Sequence, residues 1–171
     1  MSQAPVPPTT LLGDVAGGAL YLALGMLAAL LRARMTGQGA VIDAAIVDGS
    51  ANMMNLLLSR MASGHLHASR GTSLMDGPHW SGVYRCADGR WISLQPLEPR
   101  FYRLLLDKLG LGDDPEFQPQ YDPAAWGRQR ARMAELFGRR ESAHWRALLE
   151  NSDTCFGVVL SPAEAAEHPH L

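Results

Sequence analysis

The first stretch of the chain is apolar on nearly every side. Residues 14–35 predict a long helix with Asp14 as its N-cap and the TGQG turn as its end. A helix without a polar face needs burial all round. Glycine lets other backbones approach closely, and we expect this at Gly17, Gly18 and Gly25.

The next two apolar segments differ in period. Residues 40–46 (AVIDAAI) predict a short strand, and residues 47–63 carry methionine and leucine near helical spacing, which predicts a second helix. Such methionine clusters usually fill a core. The pattern therefore predicts an extended, proline-rich tail over residues 1–10 and a helix-strand-helix segment over residues 11–66.

The character changes after Gly64. Residues 64–80 are rich in glycine, serine and histidine and predict a long loop, which is often functional. The segment GVYRC-ADGR-WISLQP then predicts a hairpin with an Asp-Gly turn. Further helices are expected from Pro99 to Leu109, over 122–138 and 141–152 and from a Ser161 cap, with a strand over 155–160.

The fold class predicted from these elements is α+β. Long buried helices are followed by a small domain, residues 67–171, with a short antiparallel sheet and flanking helices. The helices of the first half need packing partners that this chain does not obviously supply.

Composition narrows the possible functions. The 171 residues are 47% hydrophobic with a formal net charge of −2, which fits one domain, or one and a small part, and argues against non-specific nucleic-acid binding. Two cysteines, Cys86 and Cys155, cannot form a disulfide framework; we expect both to be small buried residues in a reducing cytoplasm. The apolar run Val15–Leu31 is at the short limit for a membrane span, so we favour a core helix over a small membrane protein anchored by this run.

Several separated motifs carry a resemblance to a known family. Residues 13–50, with a Gly-Asp helix opening, a T-G-x-G turn and the Asp-Ala after it, closely resemble the family III CoA-transferases (CaiB/BaiF). The stretches RGTSLMDG (70–77), VYRCADGRW (83–91) and LEPRFYRLLLDKLGLG (97–112) resemble the α-methylacyl-CoA racemase branch. The resemblance covers nearly all of residues 11–171 and implies that 11–66 is an incomplete part of the large CoA-binding domain.

The resemblance also implies that part of the active site is missing. Family members are considerably longer, and their catalytic histidine lies upstream of the Gly-Asp motif in a Gly-His-Asp context. None of the six histidines here stands in such a context. We expect either a homodimer or a partner chain with the missing half; whether the chain is active alone or is a catalytically incomplete fragment stays open.

Asp14 is the first candidate catalytic residue. Taken alone, an aspartate at a helix start is most simply an N-cap. The resemblance implies more: in the racemases the matching aspartate is one of two acid/base residues, and in the transferases it is the nucleophile. Racemisation removes the proton beside the thioester carbonyl, forms an enolate and returns a proton on the opposite face.

Glu98 is the second candidate. It is either the cap of the helix that begins at Pro99 or, as the resemblance implies, a residue that orients or charge-balances the catalytic histidine.

The loop supplies the substrate-binding candidates Arg70, Asp76 and Trp80; the first two would brace it and the third would line an acyl pocket. His79 is a conceivable replacement acid/base, although a loop histidine is more often merely exposed.

The predicted function is epimerisation of a 2-methylacyl-CoA, placing the protein in cytoplasmic lipid metabolism. The alternative within the family is acyl-CoA:carboxylate CoA transfer. No metal-ligand spacing and no phosphate-binding glycine loop is evident, so no cofactor is expected beyond the coenzyme A thioester substrate. Bile-acid, branched-fatty-acid and terpenoid thioesters all fit this class.

Overall fold

The structure, a computed structural model, describes residues 10–170 and divides the chain between Gly64 and His65 into two compact units. Apart from Thr10, the tail predicted over residues 1–10 lies outside the described residues. Each unit is described by itself.

The first unit is a pair of helices. Helix α1 (Leu11–Thr36) is π-helical over Leu11–Ala19 and α-helical over Leu20–Thr36, and helix α2 spans Ile46–Ala62. The second predicted helix is thus confirmed, and Gly37, with φ of 72°, ends α1 as expected.

The predicted N-cap is wrong. Helix α1 begins three residues earlier than expected, with Thr10 at the N-cap position, so Asp14 lies within the first turns. The two leucines before Asp14 already adopt helical conformation, and no side chain caps the helix start.

The strand predicted over residues 40–46 is also wrong. Residues 38–45 have no regular structure, and the side chain of Val41 is 98% exposed. An extended segment becomes a strand only when a neighbour pairs with it, and every strand found in residues 10–170 belongs to the second unit.

Glycine brings the two helices into backbone contact. A Cβ built on Gly49 of α2 would lie 1.9 Å from the carbonyl oxygen of Gly17, and a Cβ on Gly17 would lie 2.6 Å from Ser50 Oγ. At Gly18 and Gly25 the close neighbours are side chains, those of Ile46 and Ile42, so the backbone approach expected at Gly17, Gly18 and Gly25 is confirmed at Gly17. The Nδ2 of Asn52 donates to the hydroxyl of Tyr21 at 2.5 Å beside this crossing.

Most of the apolar surface of α1 stays exposed in this chain. The Leu20–Thr36 part contains no buried residue, because α2 packs mainly against the Leu11–Ala19 part of the helix. By length and composition, with mean hydropathy 1.8, this is the one helix of the described residues that could cross a membrane, and 11% of its most apolar window is buried. The burial expected for this helix is therefore not supplied by residues 10–170.

The second unit contains a three-stranded antiparallel sheet. Strands β1 (Gly82–Arg85), β2 (Trp91–Leu94) and β3 (Phe156–Val158) are ordered β1-β2-β3. The register pairs Tyr84 with Ile92 and Ile92 with Val158. The predicted hairpin and the third strand are thus confirmed.

Four helices flank this sheet: α3 (Pro99–Leu109), α4 (Pro123–Gly138), α5 (Ser142–Leu149) and α6 (Pro162–Ala166). Asp122 caps α4 through the Ala124 amide, and Ser161 caps α6 in a capping box with Glu164, as the sequence predicts. A short 3₁₀ turn, Pro115–Phe117, precedes α4.

The core of the second unit lies between the sheet and these helices. It is built from the buried side chains of Trp80, Tyr84, Cys86, Ile92, Leu94, Tyr102, Leu105, Leu106, Phe117, Met133, Phe137, Trp145 and Leu149. Helices with a small antiparallel sheet make the fold α+β, as predicted. Cys86 is buried as expected, whereas Cys155 is exposed at a left-handed backbone position with φ of 50°.

Candidate functional site

Asp14 lies on the π-helical opening of α1 with its side chain exposed. Its carboxylate makes no hydrogen bond or ion pair with any other residue of the range 10–170. The N-terminal turns of a helix favour negative charge, because the free N–H groups and the helix dipole point there. Asp14 therefore has an accessible carboxylate that suits the helix start by its charge and makes no hydrogen bond to the residues described.

Glu98 occupies the N-cap position of α3, but its side chain makes no capping hydrogen bond. Its carbonyl oxygen instead accepts from the amides of Phe101 and Tyr102, both at 3.0 Å, and Pro99 has no amide hydrogen to satisfy. The capping explanation for this glutamate side chain is therefore wrong, and its exposed carboxylate is available for another role.

The surroundings of Glu98 include an exposed thiol. Partial burial raises the pKa of Cys155, and the negative charges of Glu98 and Asp153 raise it further. The charges of Glu98 and Asp153 thus act on the ionisation of Cys155.

The loop that precedes β1 is braced by Asp76. One carboxylate oxygen accepts from the amide of Gly71 at 2.7 Å and the other from the amide of Ser73 at 3.2 Å. Arg70 takes no part in this bracing: its side chain is exposed and makes no hydrogen bond or ion pair within the described part of the chain. The loop thus offers an unpaired guanidinium to solvent.

Trp80 lies in the core. Its side chain is fully buried, and its indole N–H donates to the carbonyl oxygen of Gln120 at 3.1 Å. Its contacts within this chain are therefore those of a core residue, and the acyl-binding role of Trp80 stays a prediction.

His79 is not an exposed loop residue, contrary to expectation. It is fully buried, and its Nε2 lies 2.6 Å from the hydroxyl of Tyr102. Burial lowers its pKa to about 4, with a further contribution from the positive charge of Arg130. A neutral imidazole without solvent access cannot exchange protons with a substrate, so this structure does not make His79 a replacement acid/base.

Arg130 is a residue that the sequence reasoning missed. Its Nη2 contacts four carbonyl oxygens of the loop, those of Asp76, Gly77, Pro78 and Ser81. One signal was available: Arg130 falls on the stripe of α4 formed by Trp126, Met133 and Phe137, where an apolar residue is expected.

The larger cavities of the second unit lie elsewhere. One of about 490 Å³ is lined by residues around α5, β3 and α6 and by the turn between β1 and β2. Its arginines are paired, Arg90 with Glu164 at 2.6 Å and Arg146 with Glu150 at 2.8 Å. Neither Glu98 nor any substrate-binding candidate lines it. Among residues 10–170, no group of three His, Cys, Asp or Glu side chains could hold a metal ion.

Comparison with known proteins gives one family. The model of CoA-transferase family III matches residues 1–171. The human α-methylacyl-CoA racemase is 36% identical over 170 residues, which cover 98% of this chain and 44% of that protein. The acetyl-CoA:oxalate CoA-transferase of Acetobacter aceti is 28% identical over 174 residues, covering 95% of this chain and 43% of that protein.

Solved structures match this chain over a similar share of their length. The crystal structure of Rv3272 from Mycobacterium tuberculosis superposes with a TM-score of 0.73 at 20% identity, over 98% of this chain and 44% of that one. At that identity the likeness shows the fold alone. The chain thus spans less than half the length of the curated relatives that it matches.

Proposed function

Because the chain belongs to CoA-transferase family III, we propose that it acts on an acyl-CoA thioester as an α-methylacyl-CoA racemase. The observation that carries this proposal is the difference in identity: 36% to the human racemase against 28% to the oxalate transferase, over nearly the same residues. The family predicted from the motifs is confirmed; the racemase activity is the part that we propose.

Asp14 is the acid/base residue for one face of the substrate in this proposal. A 2-methylacyl thioester carries a weakly acidic proton beside its carbonyl. The carboxylate of Asp14 removes this proton and leaves an enolate, and a second group returns a proton to the opposite face. An accessible carboxylate without hydrogen bonds to the described residues supports this role.

The second face needs a group that Asp14 cannot supply, because inversion requires a proton donor opposite the base. We assign Glu98 to the support of that group, since its carboxylate is exposed and does not cap α3. Arg70, with an exposed and unpaired guanidinium, is assigned to the phosphates of coenzyme A. A partner chain, or a second copy of this chain, contributes the remaining acid/base residue.

The experiment is exchange of the α-proton of a 2-methylacyl-CoA in D₂O, followed by NMR and by chiral analysis of the product. Deuterium uptake that is lost in Asp14→Asn supports the proposal. The matched control is Asp48→Asn, because Asp48 is an exposed acidic residue in the first turn of α2. Loss of uptake in both variants, or in neither, contradicts the assignment of Asp14.

The stereochemistry of the product separates the remaining possibilities. Uptake with inversion indicates a two-base site, whereas uptake with retention indicates that the second face lacks its group. If neither uptake nor coenzyme A binding is observed, the chain alone is a catalytically incomplete fragment, and the measurement is repeated with a candidate partner chain.

The second candidate function is acyl-CoA:carboxylate CoA transfer, favoured by the similarity to the oxalate transferase. In that reaction the Asp14 carboxylate attacks the thioester carbonyl, forms an acyl anhydride and releases the coenzyme A thiolate. Hydroxylamine converts such an anhydride to a hydroxamate. A mass increase on the peptide that contains Asp14, with no α-deuterium, would replace the racemase proposal by the transferase.

A further inference from the structure

The segment Arg70–Ser81, called the brace loop below, lies against helix α4 through one guanidinium. The Nη2 of Arg130 is 3.2 Å from the carbonyl oxygen of Asp76, 3.1 Å from that of Gly77, 2.7 Å from that of Pro78 and 3.1 Å from that of Ser81. An amino group carries two hydrogens, so four acceptors share them. Four carbonyl dipoles converge on this cation, and they would face one another without it.

Two glycines allow this close approach. A Cβ on Gly82 would lie 2.7 Å from Nη1 of Arg130, and a Cβ on Gly77 would lie 2.6 Å from Cε3 of Trp126. The backbone on either side of the loop's end therefore rests directly on two side chains of α4, and a methyl group at either position fills the space that one of them occupies.

A second attachment runs through His79 to α3. The hydroxyl of Tyr102 lies between His79 Nε2, at 2.6 Å, and the carbonyl oxygen of Phe117, at 2.8 Å. Because a hydroxyl has one hydrogen, it donates either to the carbonyl or to the imidazole. An O–H that donates to the imidazole needs a bare Nε2, whereas an O–H that donates to the carbonyl leaves the Tyr102 oxygen to accept from Nε2–H.

Two buried polar atoms near His79 have no hydrogen-bond partner among the described residues: its own Nδ1 and the Oε1 of Gln129. If Tyr102 donates to Nε2, the hydrogen of the imidazole is on Nδ1 and is available to the Gln129 side chain, which interacts with His79. That tautomer would offer a donor toward Gln129 Oε1, at the cost of the O–H bond from Tyr102 to the Phe117 carbonyl.

We infer that Arg130 and His79 are positioning residues that hold the brace loop on α4 and α3 and so fix the site at which Arg70 meets the substrate. The contacts of Arg130 and His79 described above are the evidence that these residues hold the loop. The link to a substrate rests on the proposed function. Neither residue acts on the reacting atoms.

The role of His79 in holding the loop can be tested by protonating its imidazole at low pH. The groups that face His79 are Tyr102 from α3, Gln129 and Arg130 from α4, the ring of Phe117, and Tyr84 from β1, whose hydroxyl donates to the His79 carbonyl. Arg130 is the charged group of this set, so a second positive charge is unfavourable.

Because the pKa of His79 is lowered in the folded chain, its contribution to stability decreases as the pH falls. The pKa of His79 is about 4 in the folded chain and 6.5 ordinarily, so the unfolded state binds the extra proton first. The contribution of His79 is full above pH 6.5 and is lost as the pH falls toward 4.

The experiment is hydrogen–deuterium exchange of the full chain, read by mass spectrometry at peptides of the brace loop and at peptides of α5. In Arg130→Gln we expect exchange of the brace loop to rise about tenfold or more while α5 keeps its protection. Gly82→Ala displaces the guanidinium without deleting it, and we expect the same local effect. Gly127→Ala is the control, because a Cβ there meets nothing within 4 Å.

The pH series uses His79→Gln, whose side chain is neutral throughout. After correction for intrinsic exchange, the loop of the unsubstituted chain should lose protection between pH 6.5 and 4, and the loop of His79→Gln should not. Unchanged loop exchange in both Arg130→Gln and Gly82→Ala overturns the inference. So does an equal rise in α5, which would indicate a general loss of stability, or the same pH dependence in His79→Gln.

A failure of the proposed function can be told apart from a failure of the loop attachment. All exchange measurements above are made without substrate. A 2-methylacyl-CoA is then added, and we expect further protection of the brace loop in the unsubstituted chain and less in Arg130→Gln. If the loop behaves as predicted without substrate but does not respond to it, the substrate link is overturned while the attachment through Arg130 and His79 stands.

Discussion

Glu98 and Asp122 occupy the same position in two helices, and their substitution separates a structural carboxylate from one that is free to act. Each precedes a proline that opens a helix of the second unit. Asp122 Oδ1 accepts from the amide of Ala124 at 3.0 Å, whereas the Glu98 side chain makes no such bond. We therefore predict that Asp122→Ala destabilises the second unit and that Glu98→Ala does not.

The magnitude follows from the hydrogen bond that is lost. Removing an N-cap costs about 1 kcal/mol, and a unit of roughly 100 residues then melts about 4 °C lower. For Glu98→Ala, which removes no folded-state hydrogen bond, we expect a change within about 0.5 kcal/mol, as for other surface substitutions.

The assay is urea unfolding followed by tryptophan fluorescence. All four tryptophans lie after His65, so the signal reports the second unit alone. Equal destabilisation by both substitutions would refute the reasoning, because it would show that Glu98 is a structural residue after all. If the prediction holds, a loss of α-proton exchange in Glu98→Gln cannot be attributed to unfolding.

Two further predictions concern single contacts. A thiol reagent at pH 8 should label the exposed Cys155 and leave the buried Cys86 unmodified until the chain unfolds. The substitution Glu98→Gln should speed the labelling of Cys155, because the Glu98 carboxylate helps to raise the pKa of that thiol. Unchanged labelling in Glu98→Gln would contradict the predicted proximity. Gly49→Ala should separate α1 from α2, because its methyl group would lie 1.9 Å from a backbone oxygen of α1; we expect faster hydrogen exchange in both helices and none of this in Ser59→Ala.

Elements fixed by neighbouring residues were predictable from the sequence. The caps at Asp122 and Ser161 each precede a proline, and the Asp-Gly turn joins two strands with alternating side chains, so each signal lies within a few residues of its effect. Residues 40–46 have the composition of a strand, but a strand also needs a partner, and their sequence says nothing about one.

The residues that hold the brace loop were not predictable for the same reason. His79 has polar neighbours in sequence that suggest an exposed loop, yet its contacts are with Tyr102 and Phe117, far along the chain. Arg130 bonds to carbonyl oxygens about 50 residues before it. Such contacts depend on tertiary packing, which the local pattern does not encode.

The carboxylates of this chain differ in what they do for its fold, and that difference bears on its chemistry. Asp76 and Asp88 accept hydrogen bonds from backbone amides, so their substitution would disturb a loop or a helix start as well as any reaction. Asp14, in the first turns of α1, and Glu98, at the N-cap position of α3, make no such bonds with the residues described. Loss of activity in Asp14→Asn or Glu98→Gln at unchanged stability would therefore identify a role in the reaction.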